Sequence, residues 1–127
     1  MKAQYLEISN YNRLFPYMQY ENALALRVSL ETGLRIDDVL SLTKDNIIDG
    51  YVVTVAEKTD KKGKWKISSH LLQELLNRPG LGYIFPKRKG REGHRTRQAV
   101  YIDMKRAIAR ADIERHASPH SARKTFD

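Results

Sequence analysis

The chain has 127 residues, no cysteine and a formal net charge of +8. That length fits one domain with a modest core, and the lack of cysteine excludes a disulfide framework and a thiolate metal site. There is no signal-like apolar N-terminus and no apolar run long enough to span a bilayer, so a soluble cytoplasmic protein is expected.

Residues 10–20, NYNRLFPYMQY, read as a short irregular lead-in with anchoring aromatics. ENALALRVSLETG predicts a mostly apolar helix over about 21–32, stopped by Gly33 as a C-terminal cap. Ile36, Val39 and Leu40 then recur at helical spacing, giving a second, shorter helix within 34–42. The period changes in NIIDGYVVTVAEKTDKKGKWKISS. Asp49-Gly50 between apolar runs is a two-residue hairpin signal, and Thr59 to Gly63 supplies a second, longer turn before KWKIS. Together these segments read as a three-stranded antiparallel meander.

SHLLQELLNR is an amphipathic helix with Leu71, Leu72, Leu75 and Leu76 on one side, ended by Pro79-Gly80. A loop with a buried-looking YIF follows, then the basic stretch PKRKGREGHRT. From about 96 to 111, Val100, Met104, Ala107, Ile108 and Ala111 make a long amphipathic helix. A last helix opens with Ser118 as N-cap and Pro119 at its first position, placing His120 and Arg123 on its first turns. Helices, a small antiparallel sheet and helices again make an α+β domain, mainly α-helical with one three-stranded antiparallel sheet.

The charge is unevenly spread. Residues 1–56 carry 5 Lys/Arg against 7 Asp/Glu, a net of −2 (5 − 7), whereas residues 57–110 carry 15 against 5, a net of +10 (15 − 5). Residues 111–127 balance at 3 and 3, which restores the total of +8. Positive charge concentrated in one segment, with Trp65 and Tyr83 nearby, suits a polyanionic backbone such as DNA. A solvated basic surface accounts for it equally well. Membrane binding is disfavoured, because the basic stretches lack the apolar stripe of an interfacial helix.

Four residues stand out as a set: Arg35 just past the glycine-capped helix, Lys58 where a strand enters its turn, and His120 with Arg123 on the closing helix. Singly, each has a plain structural explanation, such as pairing of Arg35 with Asp37 or Asp38. The opening of a helix attracts anions, and a His and an Arg aimed there suggest a phosphate.

Taken together, three segments resemble the tyrosine recombinases, the phage-integrase family. TGLRIDDVLSLTKDNI resembles the family's first motif box, in which an Arg follows T-G-L and an acidic residue lies three positions on, here Asp38. EKTDKKGKWKIS is similar to its hairpin, in which a Lys just before a Thr reaches into the site. ARADIERHASPHSARKTF is similar to the second box, an H-x-x-R preceded by Pro and followed by Thr-Phe. The segments stand in family order, and the likeness spans residues 20–126. The second box departs from the common H-x-L-R-H at Ala122 and Lys124, a change that bears on local packing.

The resemblance implies an integrase-like catalytic core and site-specific DNA strand exchange by phosphoryl transfer. A Tyr hydroxyl attacks a DNA phosphodiester, giving a 3′-phosphotyrosyl link and a free 5′-hydroxyl. Arg35 and Arg123 would grip the non-bridging oxygens in fork geometry. Lys58 would protonate the leaving 5′-oxygen, His120 would assist proton transfer or hydrogen-bond the phosphate, and Asp38 would orient neighbouring groups. No metal and no cofactor is implied, since the arginines supply the positive charge. Lys64, Lys66, Lys87, Arg88, Lys89, Arg95 and Arg97 are the candidate contacts to the backbone of double-stranded DNA. A full-length relative would self-associate on that DNA, in a cell of prokaryotic origin or one infected by phage.

None of the seven tyrosines lies beyond Arg123. Tyr101, the last of them, reads as a packing residue. The expectation is therefore a partial catalytic domain over residues 1–127, without the N-terminal core-binding domain and without the C-terminal nucleophile segment, able to bind DNA phosphate but not to cleave. The competing readings are a non-catalytic DNA-binding regulator on the same scaffold, a basic helical module that meets an acidic protein, and, more distantly, a type IB topoisomerase.

Overall fold

A computed structural model describes residues 8–56, 61–79, 82–87 and 91–111. Its order is α1 (Ile8–Leu14), a 3₁₀ turn at Phe15–Tyr17, α2 (Tyr20–Thr32), α3 (Ile36–Leu40), a 3₁₀ turn at Lys44–Asn46, β1 (Ile47–Ile48), β2 (Tyr51–Ala56), β3 (Lys61–Lys66), α4 (Ser69–Leu76) and α5 (Arg97–Arg110). The three strands form one antiparallel sheet in the order β1-β2-β3.

α2 is the central helix. Asn22, Ala23, Leu24, Ala25, Leu26, Val28 and Ser29 are all buried, so it is covered on nearly every side, as an apolar helix must be. Gly33 ends it in the left-handed conformation (φ 79°), and its N–H donates to the Ser29 carbonyl at 2.9 Å. The opening of α2 is closed from another helix. Asp103 of α5 accepts from the Gln19 N–H at 2.9 Å and from Asn22 Nδ2 at 2.7 Å. A buried carboxylate thus meets two donors that burial would otherwise leave unpaired.

The lead-in is more regular than its composition suggests. α1 forms, and Tyr11 and Leu14 are fully buried, with Met18 close behind. The three-residue spacing of Tyr11 and Leu14 puts them on one face of α1, while Met18 follows the 3₁₀ turn that accommodates Pro16.

The first hairpin turns on Asp49 (φ 52°) and Gly50 (φ 84°), the paired positive φ values of a type I′ turn. Tyr51 pairs with Lys66 and Ala56 with Lys61, so β3 begins two residues before Gly63. Gly63 therefore lies inside the strand, opposite Thr54, and not in a turn. A Cβ at this position would meet the Trp65 ring at 3.0 Å. Glycine is needed there for the indole that lies across it, not for the turn.

α4 is N-capped by Ser68, whose Oγ accepts from the Leu71 N–H at 3.3 Å. Leu71 and Leu75 are fully buried and Leu72 is half-buried, but Leu76 is exposed. At 100° per residue Leu76 falls well off the Leu71–Leu75 face. In the segment before α5, Ile84 and Phe85 are buried while Tyr83 stays exposed and meets the His94 ring edge-on at 5.2 Å. The Ile84 N–H donates to the Leu42 carbonyl, and the Arg95 N–H to the Phe85 carbonyl. α5 is capped by Thr96 and buries Val100, Met104 and Ala107, with Tyr101 and Ile108 packed against the core edge.

Candidate functional site

Arg35 occupies the joint between α2 and α3. It is the N-cap residue of α3, in extended conformation (φ −65°, ψ 150°), and its carbonyl accepts from the Val39 N–H at 3.1 Å. The preceding residue is held just as closely. Ser29 Oγ donates to the Leu34 carbonyl at 2.7 Å, and the Leu34 N–H donates to Thr32 Oγ1 at 3.1 Å. The helix end and α3 thus fix the backbone on both sides of the arginine.

The side chain is half-buried, and its Nε is shut off from solvent with no hydrogen-bond acceptor among the described residues. A buried guanidinium N–H without an acceptor is costly, and an anion is the group best suited to relieve it. Asp37 is occupied elsewhere, ion-paired with Arg97 of α5 at 3.3 Å. Asp38 is buried in the first turn of α3, one turn from Arg35. Its backbone carbonyl accepts from Ser41 Oγ at 2.9 Å.

Lys58, Arg88, Lys89, His120 and Arg123 lie outside the described residues. Among the other basic positions, the structure separates two kinds. Lys64 and Lys66 are exposed on β3, on the strand face opposite Trp65, with Lys64 Nζ 4.8 Å above the Tyr51 ring. Arg97 is half exposed beside Asp37. Arg95, by contrast, is engaged within the fold through its terminal nitrogens, although its Nε, like that of Arg35, is buried with no acceptor among the described residues. Its side chain is 18% exposed, ion-paired with Glu21 at 3.7 Å and within 3.3–3.4 Å of Gln19 Oε1 and Asn22 Oδ1.

Lys87 is half-buried and lines a cleft of about 450 Å³ with Arg91, Arg95, Thr96 and Arg106. Arg91 belongs to the basic stretch 86–96, whereas Arg106 is a helical residue with no sequence signal of its own. The cleft brings them together.

A second polar cluster joins α2 to α4. Glu74 pairs with Arg27 at 2.8 Å and His70 at 3.3 Å, and accepts from the Tyr20 hydroxyl at 2.9 Å. Burial pushes the Glu74 carboxyl up, but the hydrogen bonds from Tyr20 and Arg27 and the charges of Arg27 and His70 outweigh it, leaving the group below its ordinary range. Burial, then the bond to Glu74, raises the Tyr20 hydroxyl. Among the described residues, no group of three or more His, Cys, Asp or Glu could hold a metal ion, and no helix is long and apolar enough to cross a membrane.

The family model described as "Phage integrase family" matches residues 4–127. No curated protein sequence matches the chain. Among solved structures, the catalytic domain of bacteriophage HP1 integrase is 22% identical with a TM-score of 0.70, covering 98% of this chain and 70% of that one. The lambda integrase catalytic core is 17% identical with a TM-score of 0.78, covering 98% and 84%. A lambda integrase dimer bound to a COC′ core site gives 17% identity and a TM-score of 0.79, covering 99% of this chain. The chain spans 52%, about half, of that longer relative. At these identities the likeness is one of fold: helices around a three-stranded antiparallel sheet in the arrangement of an integrase catalytic core.

Proposed function

This chain belongs to the phage integrase family, and from that premise we propose that it binds the phosphodiester backbone of double-stranded DNA as part of a site-specific recombinase. The parent reaction breaks and rejoins DNA through a phosphotyrosyl intermediate. The observation that supports this reading most is Arg35: a half-buried cation on a backbone held from both sides, with a sealed Nε that lacks an acceptor among the described residues.

In this reading Arg35 and Arg123 clamp the non-bridging oxygens of one phosphate, where negative charge grows in the transition state. His120 hydrogen-bonds the same phosphate or assists proton transfer. Lys58 protonates the departing 5′-oxygen, and Asp38 orients its neighbours from the buried side of α3. Loss of one cationic clamp lowers phosphoryl-transfer rates on the order of 10³–10⁵-fold. Residues 1–127 are given the task of holding the phosphate, and no attacking Tyr is assigned among them. Lys64, Lys66, Lys87, Arg88, Lys89 and Arg97 then steer and seat the duplex by charge. Arg95 contributes through the cleft wall it builds. Self-association on DNA and a prokaryotic or phage setting, in the cytoplasm, complete the proposal.

Fluorescence anisotropy with a labelled duplex tests it. Affinity is expected to fall steeply with salt, and Arg35→Ala and Arg123→Ala to weaken binding while the protein stays folded. Salt-insensitive binding, or wild-type affinity in both variants, contradicts the assignment. A nicked duplex is expected to be bound without accumulation of a covalent protein–DNA adduct.

A further inference from the structure

We propose that Ser29 and Thr32 are positioning residues for Arg35, an inference that rests on the reading of Arg35 as a phosphate-binding cation. Leu34 has one backbone donor and one backbone acceptor, and each is taken by a side-chain hydroxyl from the end of α2. The Leu34 N–H donates to Thr32 Oγ1 at 3.1 Å, while Ser29 Oγ donates to the Leu34 carbonyl at 2.7 Å. Thr32 in turn donates its own proton to the Val28 carbonyl at 2.8 Å. The Thr32 hydroxyl therefore relays one of the helix's terminal carbonyls to the next residue that needs an acceptor.

Closing the helix does not need Ser29's side chain. The Gly33 N–H already donates to the Ser29 carbonyl at 2.9 Å. The hydroxyl reaches one residue further, to the peptide group whose nitrogen belongs to Arg35, from a site only 8% exposed. The other side of Arg35 is fixed by its carbonyl, which accepts from the Val39 N–H at 3.1 Å. Between them these bonds set both backbone dihedrals of the arginine and hence the direction of its Cα–Cβ bond. For a side chain this long, a tilt of ~10° moves the guanidinium by roughly 1 Å, beyond the ~0.5 Å tolerance of a working site. Neither hydroxyl touches the phosphate; they act through the Leu34 peptide.

The test is a double-mutant cycle on the whole chain, using a labelled duplex at low salt with thermal unfolding of every variant in parallel. Arg35→Ala is expected to weaken binding. Ser29→Ala, which loses one buried hydrogen bond, and Thr32→Val, which loses two half-buried ones, are each expected to weaken it roughly fivefold to tenfold, and Thr32→Ser, which keeps the hydroxyl, to restore it. In the Arg35→Ala background neither change is expected to weaken binding further, because the group being placed is gone. A general structural role would weaken binding by the same factor with or without Arg35, and that result overturns the inference. So does wild-type affinity in folded Ser29→Ala and Thr32→Val while Arg35→Ala is impaired, or loss of folding in both. If Arg35→Ala itself binds as tightly as wild type, the reading of Arg35 falls first and takes the inference with it.

Discussion

Residues 8–56 and residues 61–111 hold their positive charge in opposite ways. The first region carries Arg35, the proposed phosphate-binding cation, in a segment poor in basic residues, and anchors its backbone through its neighbours and two buried or half-buried hydroxyls. The second region carries most of the chain's lysines and arginines, and displays Lys64 and Lys66 on a strand face turned to solvent. In the proposed reading, charge density marks the surface that a duplex approaches. It does not mark the site. On the same reading the site is marked by a cation whose backbone is held on both sides before any ligand arrives, which favours electrostatic stabilisation without reorganisation.

The contrast can be broken most severely from behind Arg35. Leu40 of α3 is fully buried, and Leu40→Ala is expected to cost about 2–5 kcal/mol in chemical denaturation. Duplex binding should fall with the folded fraction. Asp103→Ala comes next, at about 1–3 kcal/mol, because it leaves the Gln19 N–H and Asn22 Nδ2 without their buried acceptor. Asp103→Asn keeps an acceptor oxygen and is expected to lose less.

Glu74 gives a smaller effect with a defined pH signature. Its folded-state pKa lies below the ordinary value of 4.5, so the folded protein binds fewer protons there than the unfolded chain. The contribution is present above the unfolded value and is lost as pH falls through the folded one. Glu74→Gln is expected to cost about 1 kcal/mol or less at neutral pH and to shrink that cost as the pH falls below 4.5. Denaturation curves across the acid range check both. Smallest in stability are Lys64→Ala and Lys66→Ala, each within about 0.5 kcal/mol of wild type. Each should still lower the salt slope of duplex binding by about one.

The family box around Arg35 could be read from the sequence because T-G-L-R is a local pattern: a helix stop followed at once by a cation. The two hairpins and the long helices were visible for the same reason, since Asp49-Gly50 and the periods of two and 3.6 residues are short-range signals. What escaped depends on tertiary neighbours. α1 is too short for its Tyr11–Leu14 spacing to outweigh Pro16 and the adjacent asparagines. Gly63 has the composition of a turn and the task of admitting Trp65. Leu76 belongs to a leucine-rich run yet faces solvent, because the helix turns it past the buried edge. Arg95 sits in a basic stretch but faces Glu21, which comes from a helix far away in sequence. The two hydroxyls around Leu34 look ordinary in the sequence and gain meaning only from where the chain bends.

The most direct measurement is the side-chain Nε–Hε signal of Arg35 in an NMR titration with a short duplex. A shift that saturates with the amount of DNA bound, abolished in Arg35→Ala, is the expected result: the sealed donor has found a phosphate oxygen. An Arg35 signal that stays in place while backbone signals of β3 move to saturation would show the duplex resting on exposed lysines alone, and would contradict the assignment of Arg35 as the phosphate-binding cation.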